Sequence, residues 1–150
     1  MFRGRFEHNL DVKGRLSIPH RYRKHLSHLR ENILIFTVES EFSIAVYPLL
    51  EWEKLEKEIS SLPRFNENVD AYKRFIISDA EECPLDRQGR VLIPANLRAK
   101  VEINKTVIIN GMIDKFEIWD KNRWDEYEKH NRNNIPVIRE NLAELGAKAL

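Results

Sequence analysis

The chain alternates apolar and polar residues over several short segments, which is the pattern of β-strands that have one face in a core. The stretch RLSI reads polar, apolar, polar, apolar, so we expect Leu16 and Ile18 to be buried and their neighbours to point the other way. Two longer apolar runs, ILIFT and TVIIN, predict strands that are buried more completely. The chain is therefore predicted to be rich in β-structure.

Other segments carry apolar residues three or four positions apart, which predicts helices. Two of these helices lie in the middle of the chain, one ending at Pro63 and one running from about Glu67 to Ile77, and together they form a helical hairpin. Two more are predicted near the end, around Asn122 to Lys129 and after Pro136. The apolar stripes are Trp52, Leu55, Ile59 and Leu62 on the first helix and Ile138, Leu142 and Leu145 on the last. The last stripe is a candidate contact with a neighbouring subunit.

The strand pattern occurs twice. LDVKGRLSIP at residues 10–19 returns as LDRQGRVLIP at 85–94, and an offset of 75 gives seven identities over the nineteen positions from residue 8 to 26. The identical pairs are Leu10/Leu85, Asp11/Asp86, Gly14/Gly89, Arg15/Arg90, Ile18/Ile93, Pro19/Pro94 and Arg23/Arg98. Further on, ILIFT at 33–37 matches TVIIN at 106–110, and IAVYPLLEW at 44–52 matches FEIWDKNRW at 116–124. The chain therefore uses one module twice.

One module alone would leave a sheet edge and an apolar face open, so the economical arrangement is two modules that share a barrel-like core. We therefore predict an α+β, β-rich fold of two pseudo-symmetric repeats, with a linking helical hairpin and C-terminal helices. The first repeat is expected at 5–50, the helical linker at 51–79, the second repeat at 80–124 and the C-terminal helical tail at 125–150.

Each repeat begins with a tight turn. Asp11 at the first position and Gly14 at the fourth suit a type I turn, because aspartate accepts backbone hydrogen bonds and glycine supplies the unusual backbone angle. Asp86 and Gly89 occupy the same positions in the second repeat. We expect each turn to be the tip of a β-hairpin.

Composition and charge limit the class of protein. With 150 residues, 42% of them hydrophobic and 33% charged, the chain has the balance of a folded, soluble protein. It has one cysteine, Cys83, and no apolar run of signal-peptide or membrane-helix type, so we expect a cytoplasmic protein without membrane attachment. The net charge of the chain is +1, but its distribution is uneven. Residues 1–30 contain eight Lys or Arg and two acidic residues, a net charge of +6, and the remaining residues have a net charge of −5. A basic surface on an acidic body is therefore expected.

The paired aspartates suggest a catalytic dyad and the clustered histidines suggest a metal site, but the sequence lacks the further residues that either site requires. Two pseudo-symmetric Asp turns resemble the dyad of aspartic proteases, in which two carboxylates share a proton. Here each aspartate lies four residues before an arginine, which would hold the carboxylate ionised and paired. His20, His25 and His28 lack the further ligands of a zinc site. We therefore predict no enzyme activity, no catalytic residue, no metal and no cofactor.

The cations around the two turns point to nucleic acid. Asp-x-x-Gly-Arg can be read simply as a turn braced by its own Asp–Arg pair, but two aspartates cannot neutralise all of the neighbouring basic residues. The predicted DNA contacts are Lys13, Arg15, Arg87 and Arg90 at the tips, and Arg3 and Arg5 on one face of the strand before the first tip. The residues predicted to shape the tips are Asp11, Gly14, Asp86 and Gly89. A β-hairpin is narrow enough to enter the major groove.

Four stretches of the chain resemble the MraZ family, bacterial regulators at the head of the cell-division and cell-wall gene cluster. They are MFRGRFEHNLDVKGRLSIP, LDRQGRVLIP, YPLLEWEKLE and FEIWDKNRWDEY, and the likeness spans residues 1 to about 128. MraZ is similar in turn to the AbrB and SpoVT DNA-binding domains. The resemblance implies a double-psi β-barrel of two SpoVT-AbrB-type repeats, a ring-shaped homo-oligomer and binding to short direct repeats upstream of its own operon, usually with repression. The residues of this chain that match the family's motif, and to which the resemblance assigns the DNA-binding site, are Asp11, Lys13, Arg15, Asp86, Arg87 and Arg90.

Two functions of different classes follow from this sequence. The first is a sequence-specific transcriptional regulator that binds double-stranded DNA at promoter-proximal direct repeats, as a homo-oligomer in the cytoplasm and associated with the nucleoid. The second is an oligomeric scaffold or protein-interaction module whose basic patch meets an acidic partner protein. Binding to the chain's own upstream DNA, compared with a shuffled copy, separates the two.

Overall fold

A computed structural model describes all 150 residues as a mixed α and β fold. The strands are β1 (Arg5–Asn9), β2 (Arg15–Ser17), β3 (Ile33–Val38), β4 (Ser43–Pro48), β5 (Glu81–Pro84), β6 (Arg90–Leu92), β7 (Thr106–Gly111) and β8 (Phe116–Asp120). The α-helices are α1 (His20–Leu29), α2 (Leu49–Ser60), α3 (Glu67–Tyr72), α4 (Ala95–Lys100), α5 (Lys121–Asn131) and α6 (Ile135–Glu144). A π-helical turn at Lys73–Ile77 extends α3, and a 3-10 turn at Arg132–Asn134 joins α5 to α6.

The strands form two separate antiparallel sheets. Six of them pair in the order β1-β7-β8-β4-β3-β5, and β2 pairs with β6 in a two-stranded ribbon. Within this arrangement β1 of the first repeat adds to a strand of the second, and β5 of the second repeat adds to a strand of the first. Each repeat therefore completes the sheet of the other.

The strand register shows that the two repeats are related by a pseudo-twofold axis. In the ribbon, Leu16 pairs with Val91, which is its own equivalent at the offset of 75. In the large sheet Ala45 pairs with Glu117, and these two residues are also equivalent in the aligned modules. Because equivalent residues face each other in both sheets, the axis passes through β2–β6 and through β4–β8.

The predicted β-hairpin at each turn is wrong. β1 and β2 are joined by the first turn but do not pair with each other, since β1 pairs with β7 and β2 with β6. The same holds for β5 and β6 in the second repeat. Alternation along a strand reveals which face is buried but not which strand lies beside it, so sequence pattern alone could not show the exchange.

Both repeats contribute side chains to one core of 20 buried residues. Leu16 and Ile18 are among them, which confirms the alternation predicted for this strand. A smaller cluster on the other face of β3 and β4 holds helix α2 through Trp52. The hydroxyl of Thr37 on β3 donates to the carbonyl of Ile76 (2.7 Å), so the linker is fastened to the large sheet.

The four predicted helical regions are present, with some differences in their ends. Helix α2 ends at Ser60, before Pro63, and Leu62 is consequently exposed instead of completing the apolar stripe. The stripe on α6 is exposed in the single chain. None of the helices is long and apolar enough to cross a membrane.

Candidate nucleic-acid interface

Backbone hydrogen bonds close the first turn, residues 11–15. The Gly14 amide donates to the Asp11 carbonyl and the Asp11 amide donates to the Arg15 carbonyl, both at 3.0 Å. Gly14 has φ +84°, in the left-handed region that glycine adopts without strain. The structure therefore contains the turn predicted from Asp11 and Gly14.

The Asp11 carboxylate braces this turn from inside. Its Oδ1 accepts hydrogen bonds from the amides of Lys13 and Arg15, each 2.9 Å long. Its Oδ2 accepts a hydrogen bond from Arg15 Nε at 2.6 Å. Because the Arg15 guanidinium bonds to the chain only through Nε, its two Nη groups keep their N–H donors for another partner.

The second turn has the same geometry. The Gly89 amide donates to the Asp86 carbonyl at 3.0 Å, and Gly89 has φ +73°. The Asp86 carboxylate accepts hydrogen bonds from the amides of Gln88 (2.8 Å) and Arg90 (2.9 Å) on one oxygen. Its other oxygen accepts from Arg90 Nε at 2.9 Å, so the Nη groups of Arg90 are also available.

These contacts hold both carboxylates in the ionised form. The backbone amide of Arg15 is the largest cause, and together with the Arg15 guanidinium and the Lys13 amide it lowers the pKa of Asp11 from 3.8 to about 2. The amide and guanidinium of Arg90 likewise lower the pKa of Asp86. At neutral pH each turn therefore keeps its internal Asp–Arg pair.

Replacing Asp11 with asparagine is expected to lower the melting temperature at neutral pH and to have little effect near pH 2. The folded-state pKa of Asp11 lies below its ordinary value of 3.8. The ionised carboxylate therefore stabilises the fold fully above about pH 4, and this contribution is lost as the pH falls through about 2. Thermal melts of both proteins between these pH values check the prediction.

The matched control for these melts is Glu140→Gln, which removes an exposed carboxylate from α6. This variant should melt like the wild type throughout. A difference between wild type and Asp11→Asn that stays constant down to pH 2 would contradict the stabilising role of the ionised Asp11.

The β2–β6 ribbon places the two turns at its opposite ends. Leu16 and Val91 face each other and are buried, so the residues on either side of them point to the opposite, outer face. On that face Arg15 lies opposite Leu92, and Ser17 lies opposite Arg90. The two arginines are therefore diagonal neighbours, with Cα atoms on the order of 8 Å apart.

We name this outer surface the ribbon face. It consists of Arg15, Ser17, Arg90 and Leu92 on the strands and Val12, Lys13, Arg87 and Gln88 at the turns. The four turn residues are all exposed. The structure thus brings Arg15 and Arg90 onto one face and places the exposed residues Lys13 and Arg87 in the turns at its two ends.

Arg3 and Arg5 lie away from the ribbon face, so the prediction that they share a hairpin face with the first tip is wrong. Arg5 begins β1, and about 13 Å of strand separates it from Asn9, beside the turn. Its Nε donates to Asn110 Oδ1 at 2.8 Å, and its guanidinium lies over the Trp124 ring at 4.4 Å. Arg3 precedes the strand. A role in DNA binding for either residue stays a prediction.

Arg23 and Arg98 carry no predicted role, yet each lies over the glycine of the opposite turn. A Cβ atom placed on Gly14 would be 2.7 Å from Arg98 Cζ, and one placed on Gly89 would overlap Arg23 Cδ and be 2.8 Å from Arg23 Nη1. Since Arg23 belongs to the first repeat and Arg98 to the second, each turn is covered by the other repeat. The sequence marks these two arginines, because they are identical in the aligned modules. Their position over the opposite turns follows from the exchange of strands, which the sequence pattern does not show.

Comparison with known proteins gives matches over almost the whole chain. The family model described as "MraZ protein, putative antitoxin-like" matches residues 1–75 and again residues 76–144. The protein "Transcriptional regulator MraZ" of Pediococcus pentosaceus is 40% identical over 146 residues, covering 97% of this chain and 99% of that protein. Proteins of the same name from Halothermothrix orenii (146 residues) and Leuconostoc citreum (145 residues) are each 38% identical, again covering 97% of this chain and 99% of theirs.

Proposed function

The chain belongs to the MraZ family, and because its relatives are named transcriptional regulators, we propose that it regulates transcription by binding double-stranded DNA sequence-specifically. The binding sites would be short direct repeats near the promoter of its own cell-division and cell-wall operon, which the protein would repress. It would act as a ring-shaped homo-oligomer in the cytoplasm, associated with the nucleoid.

The observation that carries this proposal is the set of available cations on the ribbon face. Arg15 and Arg90 use only Nε within the chain, which leaves paired Nη donors of the kind that bind phosphate or the O6 and N7 acceptors of guanine. The exposed side chains of Lys13 and Arg87 add two more cations. A two-stranded ribbon is also narrow enough to enter the major groove.

We propose further that the fold is a double-psi β-barrel. The support comes from the pseudo-twofold pairing of β2 with β6 and of β4 with β8, together with the exchange of β1 and β5 between the repeats. In such an arrangement both turns are held by the shared core, so the DNA-binding side chains would be positioned before DNA arrives.

Assembly into a homo-oligomer would supply the affinity that one chain lacks. A single ribbon face offers few phosphate contacts, whereas several linked copies on successive DNA repeats bind with much higher avidity. The exposed stripe formed by Ile138 and Leu142 on α6 and by Leu145 directly after it supports a contact between subunits, because these apolar side chains are exposed in the single chain.

Fluorescence anisotropy with the duplex upstream of the chain's own gene tests the proposed function. We expect the protein to bind this duplex more tightly than a shuffled copy, and to bind both less tightly as the salt concentration rises. Equal and salt-insensitive responses to the two duplexes would instead favour the alternative function, an oligomeric scaffold that binds an acidic partner protein.

A further inference from the structure

The two turns have the same hydrogen bonds and the same backbone conformation at their glycines. Asp11 and Asp86 each accept two backbone amides on one oxygen and an arginine Nε on the other. Both glycines have positive φ, and the carbonyl of each accepts the amide of an isoleucine from the other repeat. A difference between the two ends of the ribbon face must therefore come from side chains and not from backbone geometry.

The side chains at the turn tips do differ. Val12 and Lys13 stand in the first turn where Arg87 and Gln88 stand in the second. Each turn still has one aspartate and two basic residues, so each has a net charge of +1. The two turns therefore have the same formal charge, and the difference between them lies in the groups presented at each position.

The first end of the ribbon face has two exposed apolar side chains beside its charged residues, and the second end has polar side chains at the equivalent positions. Val12 is fully exposed at the tip of the first turn, and the strand residue at that end, opposite Arg15, is Leu92 with 56% of its surface exposed. At the other end the tip carries Arg87, and the strand residue opposite Arg90 is Ser17. Two separate positions, one in a turn and one in a strand, thus differ in the same sense.

These side chains match different bases in the major groove. The only apolar group that a base pair presents there is the thymine methyl, whereas guanine presents two acceptors that suit arginine. Building on the proposed function, we infer that the two ends read different bases, with Val12 contacting a thymine methyl and Arg87 contacting guanine. Val12 and Arg87 are then specificity-determining residues.

This assignment has a consequence for the DNA element. A pseudo-twofold scaffold with identical tips would bind an element with matching twofold symmetry, an inverted repeat. With different tips, one subunit reads a directional element and binds it in one orientation. Subunits arranged head to tail along DNA would then meet the same element in direct repeats.

The test uses a duplex selected with the wild-type protein from a random-sequence pool. Its thymines are replaced by deoxyuridine, which lacks only the methyl group. The wild type should bind the uracil duplex more weakly than the thymine duplex. The expected factor is about four-fold for each thymine methyl that Val12 buries, which is the effect of burying one CH₂-sized group. Val12→Ala should bind the thymine duplex less tightly than the wild type does and should distinguish the two duplexes less, because its shorter side chain buries less of the thymine methyl.

Val137→Ala, at an exposed valine on α6, is the matched control and should keep the wild-type preference for thymine. Since Val12 has no buried surface, its replacement should leave the melting temperature unchanged. A Val12→Ala protein that keeps the wild-type ratio between the two duplexes would overturn the assignment of Val12.

A triple variant, Val12→Arg with Lys13→Gln and Leu92→Ser, gives both ends of the ribbon face the same side chains and tests the directional element. Selection with this variant should yield inverted repeats, and recovery of the wild-type directional element would overturn the inference. Failure of the proposed function is recognised separately, because the wild type itself would then select no preferred duplex, and this inference would fall with it.

Discussion

Arg15→Ala is expected to weaken binding of the upstream duplex by roughly 5- to 150-fold, because an arginine contact with DNA contributes about 1 to 3 kcal/mol. Two changes act together at this site. The variant loses the Nη donors, and it also leaves the Asp11 carboxylate without its guanidinium partner. An unpaired negative charge then faces the phosphates, so the loss should lie toward the upper end of the range.

The measurement is anisotropy with the upstream duplex at fixed salt, and Arg64→Ala is the control. Arg64 lies exposed in the linker between α2 and α3, so its replacement removes the same charge far from the ribbon face. Glu56 in the same linker is less suitable, because its carboxylate accepts a hydrogen bond from the Trp52 indole. Equal binding by Arg15→Ala and Arg64→Ala would contradict the assignment of the ribbon face to DNA.

Gly14→Ala is expected to lower the free energy of unfolding by about 2 to 4 kcal/mol, which combines backbone strain with a steric clash. Its φ of +84° is unfavourable for alanine, and the new methyl would lie 2.7 Å from Arg98 Cζ. The Arg98 guanidinium cannot move away freely because its Nε is buried. Urea denaturation at a fixed protein concentration measures the loss.

Gly89→Ala gives an internal comparison, with an expected loss of about 1 to 2 kcal/mol from backbone strain and an additional part from overlap with the Arg23 side chain. The added methyl would overlap Arg23 Cδ, but Arg23 is exposed, so its side chain can relieve the overlap more easily than the partly buried Arg98. When Arg98 is replaced by alanine, Gly14→Ala should lower the free energy of unfolding by a smaller amount, because the steric clash with Arg98 is absent. The same loss for Gly14→Ala with and without Arg98 would show that the clash contributes nothing.

Local chemistry made the turns and the strand faces predictable. In forming the turn, Asp11 and Gly14 bond within five residues of chain, and their types and spacing are enough to specify it. The burial of Leu16 and Ile18 likewise follows from alternation within one strand. The repeat added the expectation of internal symmetry, which the strand register of both sheets bears out.

Features that depend on pairing between distant segments could not be predicted in the same way. Arg5 alternates with Arg3 in sequence, but its position is decided by β7 and α5, which supply Asn110 and Trp124. Arg98 reaches Gly14 only because the strands of the two repeats are exchanged. The identity of Arg23 and Arg98 in the aligned modules marked Arg98, but neither contact can be assigned without knowledge of the strand partners.

The exchange of strands also determines when the chain can fold during synthesis. Arg5 on β1 bonds to Asn110, which follows it by 105 residues and is synthesised much later. The first half of a nascent chain therefore contains strands whose partners have not yet been synthesised. Such long-range pairing is slow, and unpaired edges are free to associate with the same strands of another nascent chain. Translation of the second repeat is therefore the step that commits the molecule to its native topology.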